Sequence, residues 1–269
     1  MILIDIDPVA FMLGNLEVRW YGIMVALAVL TILVVTLWEA RRTGLSEDLL
    51  LNVFLWGVIG GLVMSRVVHV VDHLFTHPGQ PIDFFSFAGL GLYGAIIGAP
   101  LSAFLYTRFA HMPWSDMARV GDAVALGAPL GQAIGRVGCL INGCCHGAIA
   151  GVPWAVIYDH PHSFCSTPGM PVHPTQAYFI IWNIVVFGVV FWMRKIRKPD
   201  GVSFVAYVML YSAGDMIIRF WRVNEIYAVG LQQGQIISLA IILACVPIMI
   251  IKWRNFRRDS ANAETDVAD

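Results

Sequence analysis

The stretch "GDAVALGAPLGQAIGRVGCLINGCCHG", residues 121–147, decides how this chain is read. Most of it is apolar and long enough for a bilayer crossing, which takes about 20 residues. Yet residues 121–138 hold five glycines and a proline, residue types that favour a plain helix least. An irregular or broken span is therefore expected, of the kind tolerated at membrane depth only inside protein or along a wet cavity. The stretch ends in Arg136, Asn142, Cys139, Cys144, Cys145 and His146, with almost no charge to balance them. Reactive side chains gathered where a span emerges mark a candidate site.

The rest of the chain agrees with a membrane setting. Of its 269 residues, 58% are hydrophobic and 13% charged, and the mean hydropathy is +0.71. Soluble domains carry about 25% charged residues. Seven stretches read as spans: 20–38, 48–70, 88–107, 118–143, 174–193, 202–221 and 229–251. Arg41, Arg42, Arg108, residues 194–198 and the Lys252–Arg258 cluster fall on every second connection, whereas 71–87 and 144–173 contain no Lys or Arg. The bias of basic residues towards the cytoplasm then puts the N-terminus outside and the C-terminus inside. The acidic N-terminal segment lacks the basic start of a signal peptide, and is expected to be retained against the membrane surface. Segment 144–173, rich in His, Pro and Gly, reads as a compact outer cap, and the polar tail 259–269 as disordered.

Ionisable groups inside spans are costly and by default suggest function. Arg66, Asp122, Arg136, Asp215 and Arg219 are the candidates. Arginines converging at one depth suit an anionic lipid phosphate, which guanidinium binds in a bidentate way. The plainer alternatives are snorkelling, pairing with Asp122 or Asp215, and an intrahelical Asp215–Arg219 pair. His173, in "HPTQAY", is positioned to serve as a general base. Five cysteines in so long a chain do not make a disulfide scaffold. The C-x4-C-C-H spacing does not match structural zinc pairs, so a site of Cys139, Cys144, Cys145 and His146 is weakly signalled and no metal or cofactor is expected. A Cys165 disulfide to Cys144 or Cys145, and a thiol activated by Arg136, stay open. Cys245 reads as packing.

Several ordered blocks resemble the prolipoprotein diacylglyceryl transferases. They are "DPVAFMLGNLEVRWYGIM" (7–24, with Trp20-Tyr21-Gly22), "GLGLYGAIIG" (89–98), "GDAVALGAPLGQAIGRVGCLING" (121–143) and "HPTQAY" (173–178). The resemblance implies an all-α integral membrane protein of about seven transmembrane helices with a small extracytoplasmic cap, residues 1–258 forming one domain. It implies transfer of a diacylglyceryl group from phosphatidylglycerol to the lipobox cysteine of a prolipoprotein signal peptide, at the bacterial inner membrane. Arg136 and Asn142, helped by Arg66, Arg222 and Tyr21, would hold the lipid phosphate. No nucleic-acid partner is expected. The chain departs from the family pattern at reactive positions: Cys139 replaces an asparagine, Cys144 a glutamate, Tyr93 a histidine, Asp215 an arginine and Arg219 a glutamate. Cys144 and Tyr93 thus join His173 and Arg136 as candidate catalytic positions. The alternatives are a divergent thiol-dependent relative with another acceptor or lipid, and a redox-active or metal-binding membrane protein. Transporters share broken helices and midplane charges, but no half-to-half repeat is visible and the reactive groups lie near one face.

Overall fold

The computed structural model describes residues 1–14, 16–76, 92–223, 226–228 and 230–265. Seven helices run through the described residues: α1 (Trp20–Thr43), α2 (Glu47–Thr76), α3 (Leu92–Phe109), α4 (Trp114–Asn142), α5 (Thr175–Met193), α6 (Val202–Ile218) and α7 (Gln233–Thr265). All but α3 are long and apolar enough, as described, to cross a membrane, and the expected span 88–107 begins outside the described residues. Six short strands pair in twos: β1 (Ile2–Ile4) with β4 (Val156–Tyr158), β2 (Val9–Leu13) with β3 (Leu16–Arg19), and β5 (Ile226–Ala228) with β6 (Leu231–Gln232).

By its internal packing the chain forms two compact units: residues 1–36 with 121–269, and residues 37–120. In the second unit α2 packs on α3 through small residues. A Cβ on Gly98 would collide with Gly60, and one on Gly94 with the Met64 carbonyl. Ser102 Oγ donates to the Trp56 carbonyl at 2.7 Å, tying the same pair.

In the first unit α4 is the central helix, and it is continuous. This corrects the expectation of a broken span. Two of its glycines serve close packing against α1 instead: a Cβ on Gly131 would lie 2.8 Å from the Ala28 carbonyl oxygen, and one on Gly127 2.8 Å from that of Ile32. Small residues let two backbones approach in a membrane, where dispersion and close packing drive helix association. The other face of α4 builds a core with α5 and α6 from Ala125, Leu126, Val186, Val190 and Tyr207.

Asp122, a candidate for intramembrane chemistry, has a structural task. Its two carboxylate oxygens accept from the backbone N–H groups of Gly201 (2.8 Å) and Phe204 (2.9 Å). Gly201 is the N-cap of α6 and has no side chain to cap with, so α4 supplies the anion that a helix N-terminus favours. Asp215 and Arg219 form the intrahelical pair, Nε to Oδ2 at 2.6 Å, and Ser238 Oγ of α7 donates to the same oxygen at 2.9 Å. The described part of α7 continues through Thr265, past Arg258, where a disordered tail was expected. Ala261, Ala263 and Glu264 are good helix formers, and no Gly or Pro follows Pro247 to end the helix.

Segment 143–174 folds as a compact cap. β4 pairs in parallel with β1, so the N-terminal strand belongs to this cap. Val156, Tyr158 and Val172 form its core with Ile4 and Cys165. Asp7, just after β1, accepts from Val9 N–H at 2.9 Å and lies 3.0 Å from His162 Nδ1. These contacts hold its carboxyl below the ordinary value of 3.8, the Val9 bond first and the histidine second.

Candidate active site

The site is built where α4 ends. Arg136 lies one and a half turns before that end, its guanidinium stacked 4.3 Å from the ring centre of Phe179, a fully buried residue of α5. Such stacking holds a cation without cancelling its charge. Tyr211 of α6 lies within hydrogen-bonding reach of Arg136. Asn142, the last residue of α4, is 5% exposed, and its side-chain carbonyl oxygen has no partner among the described residues. A buried amide oxygen without a partner is rare, which makes Asn142 a candidate for ligand contact.

Beyond Asn142 the chain reverses sharply. Gly143 takes φ of +75° and Cys145 +63°. For cysteine a left-handed backbone costs about 1–2 kcal/mol, and it persists only when its surroundings over-determine it. Those surroundings are the start of α5. Thr175 Oγ1 donates to the Cys145 carbonyl at 2.7 Å, and Gln176 Nε2 to the Cys144 carbonyl at 2.8 Å. Gln176 Nε2 also lies 3.3 Å from the hydroxyl of Tyr158, whose phenol burial holds above its ordinary value. The "HPTQ" motif thus splints the turn, a role the sequence reading did not assign to Thr175 or Gln176.

The reversal lays the sulfurs of Cys144 and Cys145 against that of Cys139, all within 4.8 Å of one another. All five cysteines are free thiols, so no disulfide joins Cys165 to Cys144 or Cys145. Tyr21 of α1 lies within electrostatic range of Arg136 and the three cysteines. The Cys145 thiol is pulled below its ordinary value by hydrogen bonds from Cys139 and Cys144, with the positive charges of Arg222 and Arg136 adding to the effect.

His173 lies on the cap side of the site. Its Nδ1 is 3.0 Å from the Tyr178 hydroxyl, which accepts from Trp154 Nε1 at 2.8 Å, and its ring packs near Trp221. In the tautomer that donates Nδ1–H to Tyr178, Nε2 would carry the lone pair. The Gly147 N–H donates to the His173 carbonyl, and Gly147 forms a bridge with Arg222. Tyr21, Arg136, Asn142, Cys144, His173 and Arg222 therefore belong to the unit of residues 1–36 and 121–269. Arg66, on α2, and Tyr93, on α3, belong to the unit of residues 37–120. The side chain of Tyr93 lies outside the described residues.

A scaffold of several membrane-spanning helices, with Arg136 on an aromatic face, a buried amide and a histidine beside the cap, defines a polytopic membrane protein. Comparison with known proteins narrows the class. The family model described as prolipoprotein diacylglyceryl transferase matches residues 8–251. A protein named phosphatidylglycerol–prolipoprotein diacylglyceryl transferase in Dehalococcoides mccartyi is 38% identical over 260 residues, covering 96% of this chain and 98% of its own length. Proteins of the same name in Clostridioides difficile and Lysinibacillus sphaericus are 35% and 31% identical, over 87% and 89% of this chain and 90% and 89% of their own lengths. The chain belongs to the prolipoprotein diacylglyceryl transferase family.

Proposed function

We propose that this protein transfers the diacylglyceryl group of phosphatidylglycerol to the thiol of a prolipoprotein lipobox cysteine. The observation that carries this reading is Arg136 stacked on Phe179, beside the unpartnered carbonyl of Asn142 and a turn facing Arg222. Two guanidinium groups suit the single negative charge of the lipid phosphate and the second charge that appears as it leaves. Asn142 and Tyr21 orient the head group.

In the transfer the acceptor sulfur attacks the glyceryl carbon that carries the phosphate oxygen. A C–S bond forms, the C–O bond breaks, and glycerol phosphate leaves with the electron pair. The thiol proton passes to Nε2 of His173, whose other nitrogen is held by Tyr178. Cys144 is the remaining candidate for proton handling in this unit. The protein works in the inner membrane, with its N-terminus and cap periplasmic, as the basic residues on alternate connections support.

The test is mass spectrometry of a synthetic lipobox peptide incubated with the purified protein in phosphatidylglycerol vesicles. A diacylglyceryl mass shift is expected, with the rate falling about 10²–10³-fold in Arg136→Ala, the loss typical of removing one charge-stabilising donor. His173→Ala should lower the rate about 10²–10⁴-fold, the range typical of losing a general base. No shift from folded protein overturns the reading. Cys144→Ala separates the standard reaction from a thiol-dependent variant of it: the standard reaction survives that change.

A further inference from the structure

Of the three sulfurs at the end of α4 only that of Cys144 is a candidate for a part in the transfer, and that reading gives the three together no task. We propose that Cys139, Cys144 and Cys145 form a three-thiolate binding site for a soft d10 cation, Zn(II) or Cu(I). The sequence spacing argues against a familiar zinc site, because C-x4-C-C lacks the C-x2-C pair. The fold supplies what the spacing lacks. Cys139 sits on the last turn of α4, and the left-handed residues Gly143 and Cys145 fold the next two cysteines back over it. All three ligand atoms fall within 4.8 Å of one another.

Metal geometry sets the distance to compare. Zinc–sulfur bonds of about 2.3 Å at a tetrahedral angle put ligand sulfurs about 3.8 Å apart. The cluster therefore needs to contract by about 1 Å at most, within reach of side-chain rotation at Cys144 and Cys145, which are half-buried. A disulfide would need about 2.05 Å and a specific torsion. A donor set of thiolates alone selects soft metals over Mg²⁺ or Ca²⁺. His146 is not a fourth ligand: its Nδ1 lies 2.8 Å from the Gly147 carbonyl and its Nε2 3.0 Å from Ser166 Oγ. The fourth position is left to an exogenous ligand, or stays vacant with trigonal Cu(I).

Two further features favour the site. Arg136 and Arg222 act electrostatically on Cys145, and two positive charges balance three thiolates with a monovalent cation, or exceed by one the single net negative charge left with a divalent one. The Cys144 and Cys145 carbonyls are anchored by Gln176 and Thr175, so the turn that carries two of the ligands is set before metal arrives, which lowers the ordering cost of binding.

The test titrates the reduced full-length protein in detergent with Cd²⁺, a d10 probe whose thiolate complexes absorb in the ultraviolet. A charge-transfer band saturating at one ion per chain, displaced by Zn²⁺, is expected. Cys144→Ser and Cys145→Ser lie outside the helix and spare its buried position, and each should weaken Cd²⁺ binding at least 10-fold. Cys165→Ser and Cys245→Ser should leave it unchanged. No band in protein that elutes as folded, or a band that survives both serine changes, overturns the proposal. So does a loss of two mass units across Cys139, Cys144 and Cys145 in the non-reduced protein, since that would show two of the three thiols joined as a disulfide.

Discussion

Replacing Asp122 by alanine should destabilise the protein without touching its chemistry. Its carboxylate holds the first turn of α6 by two hydrogen bonds of 2.8 and 2.9 Å, and Gly201 has no side chain to take over. Hydrogen bonds to a charged group contribute about 1.5–3 kcal/mol each. The Phe204 side chain is 40% exposed, so water can partly replace the lost acceptor and the lower bound applies. Two such bonds give about 3 kcal/mol for Asp122→Ala. Asp122→Asn keeps one acceptor but turns an N–H₂ towards the second donor, so about half of that loss is expected. Equilibrium unfolding in mixed micelles of sodium dodecyl sulfate and dodecyl maltoside reads the difference. Transfer per folded molecule, measured in phosphatidylglycerol vesicles, should stay within about two-fold of the starting protein. An alanine variant within about 0.5 kcal/mol of the parent in stability refutes the capping role. A variant of unchanged stability that has lost transfer would return Asp122 to the catalytic candidates.

Three further outcomes follow from the same coordinates. Gly131→Ala puts a methyl 2.8 Å from the Ala28 carbonyl, so α1 and α4 must part; a net loss of about 1–2 kcal/mol is expected by the same unfolding assay, whereas Gly188→Ala on α5, with nothing within 4 Å, should not destabilise. Gln176→Leu leaves the Cys144 carbonyl without its donor and should lose about 2 kcal/mol, with transfer at least 10-fold lower because the turn beside Asn142 is no longer splinted; normal transfer would show that the splint is dispensable. Asp7 has a depressed folded-state pKa, so its contribution is complete above the ordinary value of 3.8 and is lost as pH falls through the lower folded value. Limited proteolysis within residues 1–13 should therefore accelerate on acidification below about pH 4, and Asp7→Asn should show the faster cleavage already at neutral pH.

The spans were legible because membrane helices announce themselves by length and composition, and the Asp215–Arg219 pair because an i,i+4 spacing admits a direct test. Residues 121–138 show the limit. Five glycines and a proline describe a broken helix and a tightly packed one equally well, and only the neighbour separates them. Ile32 and Ala28 of α1 are about a hundred positions away in sequence, so no local pattern carries that information. Asp122 is opaque for the same reason, since its partners Gly201 and Phe204 lie 79 and 82 residues further on. At the candidate site, Arg136 was singled out by its charge inside a span and Asn142 by the family resemblance. The thiol cluster was only weakly signalled, because it depends on a left-handed Cys145 that no propensity favours and that Thr175 and Gln176 impose from another helix.

The charges at this end of the first unit sort themselves by partner. Arg219 is neutralised by Asp215, and Ser238 fixes the same carboxylate oxygen, so moving its guanidinium to a lipid phosphate would leave a buried carboxylate unpaired, at a cost of several kcal/mol. Arg136 instead rests on an aromatic face, and no carboxylate pairs with it or with Arg222 among the described residues. A cation held by a ring keeps its field for an incoming anion. The Asp215–Arg219 pair is therefore structural, and in the proposed function phosphate recognition falls to Arg136 and Arg222. If that division holds, Arg219→Gln should lower stability more than phosphatidylglycerol affinity, and Arg222→Gln should do the reverse; equal losses of affinity in both would show that the pair opens to serve the lipid.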